Sequence, residues 1–157
     1  MKIHNSQLDL DFMNWNTQTQ IQVRFADCDM LGHVNNAKFI TFLEQGRVAY
    51  FRQFPELDFT LSHPQDCPGI ILASISCDFH SPAYVGEILT VSLGVTEIKR
   101  SSFVIAYEIH EEKSGRLVAS AKSAVVYFDY AKKKSVEIPD TLRSRFEEIE
   151  GKKFPKP

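Results

Sequence analysis

The feature that most constrains the fold is a long run of apolar residues at helical spacing, from about residue 36 to residue 54. Lys38, Thr41, Gln45 and Arg52 cluster on the opposite side when each residue is advanced by about 100°. The apolar arc contains Phe39, Ile40, Phe42, Leu43, Tyr50, Phe51 and Phe54. Because this arc is wider than a surface helix requires, the pattern predicts one long, deeply packed helix around which another element must wrap.

Runs that alternate polar and apolar residues provide the wrapping element. The first, at residues 20–25, precedes the helix and places Ile21, Val23 and Phe25 on one face. Four more runs follow the helix, at about residues 70–80, 87–99, 102–110 and 116–129. Their connections are short, and "EKSG" is the clearest hairpin signal, so neighbouring strands are predicted to be antiparallel.

A second, shorter helix is predicted near the end of the chain, in "IPDTLRSRFEEIEG". Pro139 stands near its start, and Gly151 provides a stop. The final residues, "KKFPKP", are predicted to fray. One strand, a long helix, four strands and a short helix favour an α+β fold whose antiparallel sheet curls around the long helix.

Length and composition fit one domain that comprises residues 1–157. Apolar residues make up 43% and charged residues 24% of the chain, and the formal net charge of −2 argues against a general nucleic-acid-binding surface. Residues 1–15 lack the apolar run of a signal peptide, and no later stretch has the length of a membrane span. The expected location is therefore the cytoplasm, with no membrane or nucleic-acid partner.

Three cysteines, Cys28, Cys67 and Cys77, form neither a CxxC pair nor a cysteine and histidine ligand pattern. An odd number of cysteines at such spacing argues against a disulfide framework and against a structural zinc site. Reduced thiols are expected, and the sequence indicates no metal and no cofactor.

The loop before the long helix, "ADCDMLGHVN", concentrates reactive side chains. Asp29 precedes the first turn of the helix, and Gly32 allows the chain to bend back, so the carboxylate can face the unpaired backbone N–H groups near Asn35 and Asn36. Together with the helix dipole, these groups form a site for negative charge. An Asx turn at Asp29 and a helix cap at Asn35 are the competing interpretations, because both residue types are common there.

The segment "DCDMLGHVNNAKFITFLEQGR" resembles the D-x-D-x-x-G-H-V-x-N motif of hotdog-fold acyl-CoA thioesterases, the family related to 4-hydroxybenzoyl-CoA thioesterase. The resemblance continues in "SPAYVGEILTV", "KRSSFVIAYEI" and "SGRLVASAKSAVVYFD", and it spans roughly residues 18–140. It implies a five-stranded antiparallel sheet around a central helix. It also implies a homodimer, or a tetramer built from dimers, with active sites at the subunit interface.

Enzymes of that family hydrolyse an acyl-CoA thioester to the free acid and coenzyme A. The resemblance assigns the catalytic carboxylate to Asp29, as a general base on water or as a nucleophile through a mixed anhydride, and the carbonyl-binding amide to about Asn36. His33 suits proton transfer to the departing thiolate, because imidazole ordinarily exchanges protons near neutral pH. A loop histidine is also a common polar packing residue.

Two other side chains of the loop are predicted to have no direct catalytic role. In the resemblance, Asp27 looks like a structural partner that pairs with Arg24 or caps a backbone N–H group. A thiol nucleophile at Cys28 is disfavoured, because the two flanking carboxylates suppress the thiolate.

Glu44 and Arg47 lie three residues apart on the predicted helix, and Arg47 projects into the otherwise apolar arc. The spacing favours a helical ion pair between the two side chains. The alternative is that Glu44 contacts the substrate and orients water, as helix carboxylates do in some hotdog thioesterases.

Candidate contacts with the carrier follow two of the predicted strands, and they are Arg100, Ser101, Ser102, Lys132, Lys133 and Lys134. Such runs are usually solvated turns, but in the strand order of the family they could contact the phosphates of coenzyme A. Clusters this short offer no extended basic face to an acidic carrier protein, which favours coenzyme A thioesters. An acyl-ACP thioesterase stays an alternative, because "HVNN" also resembles part of that group.

Three further functions compete with this interpretation. An acyl hydratase or dehydratase of the same fold would be expected to have a D-x-N-P-x-H or G-H-F-P type segment, which the loop lacks. A metal-dependent hydrolase could use Asp27, Asp29 and His33 as ligands, but no second histidine is spaced nearby. A non-catalytic acyl-binding protein would bind a thioester without turnover.

Overall fold

The computed structural model describes residues 14–57 and 68–157, so Cys67 and the first 13 residues of the sequence lie outside the described part of the chain. In chain order the elements are β1 Thr17–Gln22, a 3-10 turn Phe25–Asp27, α1 Asn36–Phe51, β2 Pro68–Phe79, β3 Ile88–Ile98, β4 Ser102–Glu111, β5 Leu117–Asp129, β6 Lys134–Ser135 and α2 Asp140–Glu150. Each predicted strand and helix is present, with bounds that differ by a few residues.

The strands form one antiparallel sheet in the order β1-β3-β4-β5-β2, and β6 adds to β5. The predicted α+β class, with a long helix packed on an antiparallel sheet, is confirmed. The sixth strand was not predicted, because it contains only two residues and shows no alternation. Neither helix of the described residues has the length and apolar character needed to cross a membrane.

Helix α1 packs on the inner face of the sheet, as its wide apolar arc predicts. Its buried residues are Phe39, Phe42, Leu43, Gly46, Tyr50 and Phe51. Ile40 was assigned to the same arc, but its side chain is 37% exposed. It shares a stripe of the helix with Glu44 and Val48, which are also exposed and lie on the flank of α1 rather than over the sheet.

Gly46 is the position at which α1 approaches β3 closely. A Cβ atom built on this residue would lie 2.9 Å from Cγ1 of Val91 and 3.5 Å from Cδ2 of Leu93. Val91 is fully buried and branched at Cβ, so it has little freedom to move away. The absence of a side chain at position 46 therefore sets the distance between the helix and the sheet.

The first strand ends earlier than predicted, and the chain turns at Arg24. The N–H group of Arg24 donates to Oδ2 of Asp27 at 2.9 Å, and the N–H group of Asp27 donates to the carbonyl oxygen of Arg24 at 3.0 Å. These bonds close the 3-10 turn. Phe25, predicted to share the buried face of the strand, is consequently 87% exposed.

Helix α2 continues the edge of β3 beyond Thr17, the first residue of β1. Pairing of β1 with β3 stops at Thr17 and Leu93, and the N–H group of Val95 lies beyond it. Glu150 accepts that N–H group at 2.8 Å and also accepts the hydroxyl of Tyr50 from α1. Burial, together with the nearby carboxylate, raises the pKa of Tyr50, so the hydroxyl keeps its proton and donates it to this hydrogen bond.

The residues after α2 are docked, so the prediction that they fray is wrong. Phe154 is only 6% exposed and belongs to the core. Its N–H group donates to Oε1 of Glu147 at 3.1 Å, and Nζ of Lys153 lies 2.6 Å from Oε2 of the same carboxylate. The aromatic ring of Phe154 anchors this segment. The lysine and proline residues around it had favoured the prediction of a solvated tail.

We expect Gly46 to resist substitution although it lies inside a helix. Alanine is favoured over glycine in helices by about 1 kcal/mol, but here its Cβ atom would collide with Val91, and overpacking costs about 1 to 3 kcal/mol. Gly46→Ala should not raise the free energy of unfolding measured in urea, and Gly46→Val should lower it by about 2 kcal/mol or more. Gln45→Ala, at the exposed neighbouring position, is the control and should shift it by less than about 0.5 kcal/mol. Stabilisation of Gly46→Ala by the full helix propensity would contradict the close contact.

Candidate active site

The loop between β1 and α1 folds back on itself through backbone hydrogen bonds. The N–H group of Asp29 donates to the carbonyl oxygen of His33 at 3.0 Å, and the N–H group of Gly32 donates to that of Asp29 at 3.0 Å. Cys28 and Val34 form an isolated antiparallel bridge. Gly32 has a φ of +83°, a conformation that side chains disfavour, so glycine allows the reversal.

A second turn, at residues 81–87, holds this loop from outside. The N–H group of Val34 donates to the carbonyl oxygen of Ala83 at 2.8 Å. Arg116 in turn fixes the second turn, because Nη2 lies 3.1 and 3.0 Å from the two carboxylate oxygens of Glu87 and 3.0 Å from the carbonyl oxygen of Pro82. Sequence reasoning missed this brace, since only the antiparallel register brings Arg116 to the turn.

Asp27 is a structural residue of the loop. Its side chain is 1% exposed, and Nε and Nη2 of Arg24 donate to its two oxygens at 3.1 and 2.9 Å. The hydrogen bonds from Arg24 hold the pKa of the Asp27 carboxyl below its usual value. The predicted pairing of Asp27 with Arg24 is therefore confirmed.

Asp29 is half-buried and only partly engaged. Its Oδ1 accepts the N–H group of Leu31 at 2.8 Å, which is the Asx turn that the sequence offered as an alternative. Oδ2 accepts no hydrogen bond from the residues that the structure describes. The carboxylate is thus oriented through one oxygen and open to a ligand through the other.

The first turn of α1 presents one uncommitted amide. Oδ1 of Asn35 caps the helix by accepting the N–H group of Ala37 at 2.9 Å, and the N–H group of Lys38 donates to the carbonyl oxygen of Asn35 at 2.8 Å. The N–H group of Asn36 has no acceptor within the described ranges. A helix N-terminus with an open N–H group favours negative charge at this place.

The hydrogen bonds of His33 and Cys28 indicate different chemical roles for the two side chains. Nδ1 of His33 lies 3.2 Å from the carbonyl oxygen of Val34, which can only accept, so Nδ1 carries the hydrogen, and Nε2 has no partner among the described residues. The thiol of Cys28 lies 3.8 Å from the carbonyl oxygen of Arg24 and donates to it. An open imidazole nitrogen suits proton transfer, whereas a thiol that donates its hydrogen is a poor nucleophile.

The predicted ion pair between Glu44 and Arg47 is absent among the described residues, where no salt bridge joins them. The side chain of Arg47 instead extends from α1 toward the sheet, where its Nη1 lies 3.5 Å from Oη of Tyr107 on β4. The reason is that the apolar arc draws the long arginine stem toward the sheet, while Glu44 stays exposed. Both residues line a cavity of about 650 Å³ beside α1.

The candidate carrier contacts lie at the other end of the sheet from Asp29. The loop adjoins the start of β3, where Gln22 pairs with Ile88, whereas residues 100–102 follow the end of this 11-residue strand. At about 3.3 Å per residue the two places are roughly 33 Å apart. The three lysines of residues 132–134 lie near residues 100–102. Lys134 pairs with Asp129 on β5, two residues beyond Tyr127, whose N–H group donates to the carbonyl oxygen of Ser101 at 2.9 Å. One chain therefore brings the two basic turns together but does not bring them to Asp29.

A metal site at Asp27, Asp29 and His33 has no support in the geometry. Within residues 14–57 and 68–157, no group of three or more histidine, cysteine, aspartate or glutamate side chains is placed to hold a metal ion. Both oxygens of Asp27 already accept from Arg24, so this carboxylate would have to break its ion pair to become a ligand.

A long helix packed on an antiparallel sheet is the architecture that the resemblance to hotdog thioesterases implied. The family model of the thioesterase-like superfamily matches residues 23–146. The chain belongs to this superfamily, as its loop motif predicted.

Two named proteins and one solved complex illustrate what the chain is similar to. The long-chain acyl-CoA thioesterase FadM of Escherichia coli (strain K12) is 26% identical over 84% of this chain and 98% of its own length. A 1,4-dihydroxy-2-naphthoyl-CoA hydrolase of Synechocystis is 29% identical over 75% of this chain and 85% of its own. A thioesterase from Thermus thermophilus, solved with coenzyme A and zinc, aligns with a TM-score of 0.75 at 25% identity over 88% of this chain and 97% of that one.

We expect Asp27 to stabilise the protein in a pH-dependent way. Because its folded pKa is lowered, its contribution is complete above the ordinary pKa of aspartate, about 4, and is lost as the pH falls through the lower folded value. Asp27→Asn should lower the free energy of unfolding by about 1 to 3 kcal/mol at pH 6, and this difference from the unsubstituted protein should shrink toward pH 3. Urea unfolding at both pH values measures it. Glu97→Gln, at an exposed pair with Lys99, is the control. A difference as large at pH 3 as at pH 6 would contradict the role of the ionised carboxylate.

Proposed function

We propose that the protein is an acyl-CoA thioesterase that hydrolyses its substrate to the free acid and coenzyme A at the loop before α1. The observation that carries the proposal is that one short loop has, at its two ends, a carboxylate oxygen of Asp29 and an N–H group of Asn36 that are both without a partner in the described residues. Membership of the thioesterase-like superfamily supports it, as do similar proteins named as acyl-CoA thioesterases.

In the proposed reaction the N–H group of Asn36 donates to the thioester oxygen and stabilises the charge that develops there. If Asp29 acts as a base, Oδ2 takes a proton from water as the water oxygen bonds to the carbonyl carbon. The carbon–sulfur bond then breaks, and the thiolate takes that proton from Asp29, either directly or through Nε2 of His33, which accepts it from Asp29 and passes it on. If Asp29 acts as a nucleophile, Oδ2 bonds to the carbonyl carbon, the thiolate leaves, and water hydrolyses the resulting anhydride.

Asn35 and the second turn act by positioning in this proposal. The cap from Asn35 occupies the N–H group of Ala37, so the amide of Asn36 is the open donor of the first turn. Ala83, held through Arg116 and Glu87, fixes Val34 and hence the start of the helix relative to the loop. A fixed donor is catalytically more effective than one that must reorganise during the reaction.

We propose further that two copies pair along β2 as a dimer, alone or within a tetramer. Among the described residues β2 pairs only with β5, and its inner-face residues Leu72 and Phe79 are 39% and 47% exposed. Val48 on the adjacent flank of α1 is 48% exposed. An open strand edge beside exposed apolar side chains favours association, whereas the other edge strand, "TQTQIQ", is mostly polar.

This arrangement would also bring the candidate carrier contacts to the catalytic loop. A two-fold axis through paired β2 strands reverses their direction, so the end at Phe79 of one copy meets the end at Pro68 of the other. Phe79 contacts Phe39 near the start of α1, with ring centroids 5.3 Å apart. Arg100, Ser101 and Ser102 of one copy would thereby approach Asp29 of the other and could bind the phosphates of its coenzyme A.

Other expectations from the sequence stay predictions. They are the preference for coenzyme A over acyl-ACP, the cytoplasmic location and the single-domain organisation of residues 1–157. A panel of matched acyl-CoA and acyl-ACP thioesters decides the carrier, and thioester binding without turnover would identify a non-catalytic acyl-binding protein.

Asp29→Asn should nearly abolish hydrolysis, with kcat falling by at least about 10²-fold, because a positioned base contributes about 10² to 10⁴ in rate. The amide keeps the size and the bond to Leu31, so thermal unfolding and oligomeric mass should not change. Cys28→Ser is the matched control beside it and should be nearly neutral, while His33→Ala should cost about tenfold. Loss of activity in Cys28→Ser with retention in Asp29→Asn would reject the mechanism, and restoration of EDTA-treated enzyme by a divalent ion would favour the metal-dependent alternative.

Light scattering should report a dimer or a tetramer. Val48→Asp places a charge on the exposed apolar flank of α1, so it should shift the protein toward monomer and reduce kcat/KM by at least about tenfold, as expected when contacts from a partner are lost. Thr141→Asp, at an exposed position of α2, is the control and should leave the mass unchanged. A stable monomer with full activity would exclude the proposed interface.

A further inference from the structure

The cavity beside α1 has apolar walls, and more positively than negatively charged side chains line it. It has a volume of about 650 Å³ and lies between the second half of α1 and the inner face of β2 and β5. Its lining residues are Glu44, Arg47, Val48, Phe51, Arg52, Ile70, Leu72 and Val125. Two cations thus face one anion in a space whose size is typical of small-molecule sites.

Arg47 is the charged residue of this cavity that reaches the buried hydroxyl of Tyr107, and within residues 14–57 and 68–157 most of its hydrogen-bonding capacity is unused. A guanidinium group has five N–H donors, and the contact of Nη1 with Oη of Tyr107, at 3.5 Å, is at the long limit of a hydrogen bond. No carboxylate of the described residues lies within 4.0 Å of Arg47. Since an unpaired charge beside apolar walls is costly, the open donors favour an incoming oxygen.

A pair of buried hydroxyl groups lies below the guanidinium. Oη of Tyr107 is 2.7 Å from Oγ of Ser123, and the two residues are 1% and 2% exposed. Burial raises the pKa of Tyr107, so the phenol stays neutral, accepts from Arg47 and shares a hydrogen bond with the hydroxyl of Ser123. The two hydroxyls occupy inward positions of β4 and β5 that otherwise hold apolar residues, such as Ile105 and Val125. They hold Arg47 through a neutral contact, so its charge has no anionic partner in the part of the chain that the structure describes.

We propose that Arg47, supported by Tyr107 and Ser123, binds an oxygen on the acyl part of the substrate, remote from the thioester. The protein would then select acyl groups that carry a distal carboxylate or hydroxyl over plain hydrocarbon chains. This inference rests on the proposed thioesterase function, because it places the acyl group of that substrate in the cavity. Arg47 lies about 16 Å along α1 from Asn36, which sets the scale of acyl chain to test.

The test compares matched thioesters of equal chain length. The kcat/KM values are measured for octanoyl-CoA, 8-hydroxyoctanoyl-CoA and suberyl-CoA, and for the corresponding sets with 6 and 12 carbons. At the best length the suberyl-type substrate should exceed the plain one by at least about tenfold, as a charged hydrogen bond provides, with the hydroxy substrate between them. In Arg47→Met this ratio should fall toward one, in Arg47→Lys it should fall in part, and Tyr107→Phe should lie between Arg47→Lys and the unsubstituted enzyme.

Arg145→Met is the matched control, since Arg145 lies on α2, pairs with Glu56 and Glu148, and is outside the cavity. Its ratio should equal that of the unsubstituted enzyme. The inference would be overturned by a ratio of the kcat/KM values, suberyl-type over plain substrate, that is near or below one at every chain length, or that Arg47→Met leaves unchanged. Hydrolysis of the thioesters would still support the proposed function in that case. A changed oligomeric mass in Arg47→Met would assign the residue to a subunit contact instead. If no thioester is hydrolysed, the proposed function fails, and calorimetric binding of suberyl-CoA against octanoyl-CoA to the same variants decides the inference.

Discussion

The close approach of α1 to β3 at Gly46 is the contact on which the arrangement of the site depends. With no side chain at this position, the helix lies against Val91, and its aromatic residues extend to either side into the core. The approach fixes the first turn of α1 near the end of the sheet where β1 stops, so the intervening loop has to reverse over a short distance. It also leaves the second half of α1 beside β2 and β5, where the cavity opens. Packing in the core thus decides where both the amide of Asn36 and the guanidinium of Arg47 can act.

Some polar groups of the loop between β1 and α1 hold its backbone in place, and others are open to a ligand. Asp27 and Arg24 are committed to each other, and the backbone of residues 28–34 bonds within the loop or to the turn at residues 81–87. Because this support uses other donors and acceptors, one oxygen of Asp29 and the N–H group of Asn36 stay free of protein partners in the described residues. Open groups on a fixed backbone need little reorganisation when charge develops on a substrate, which is the property that electrostatic catalysis requires.

Periodicity predicted the elements of the fold because α1 and the strands each repeat one environment along their length. It failed at Phe25 and Phe154, where a single contact decides the environment: a turn closed by Asp27 exposes the first ring, and a docked tail buries the second. The candidate residues around Asp29 could be proposed from the loop motif, because they are close in sequence. The contact of Arg47 with Tyr107 could not, since helical spacing favours its neighbour Glu44 and only the packed sheet offers the alternative.

The length of β3 determines which of the candidate residues lie together in one subunit and which are brought together only by a second subunit. A strand of 11 residues keeps the loop that contains Asp29 at one end of the sheet and the basic turns at the other, so no movement of side chains within one chain could join them. An antiparallel pairing of two β2 edges reverses the ends and removes this separation without changing either subunit. The same edge borders the cavity that contains Arg47, through Ile70 and Leu72. In the proposed dimer, the contacts with the carrier, with the acyl group and with the second subunit therefore lie on one side of the molecule. A substitution that disturbs one of these three contacts is expected to alter the other two.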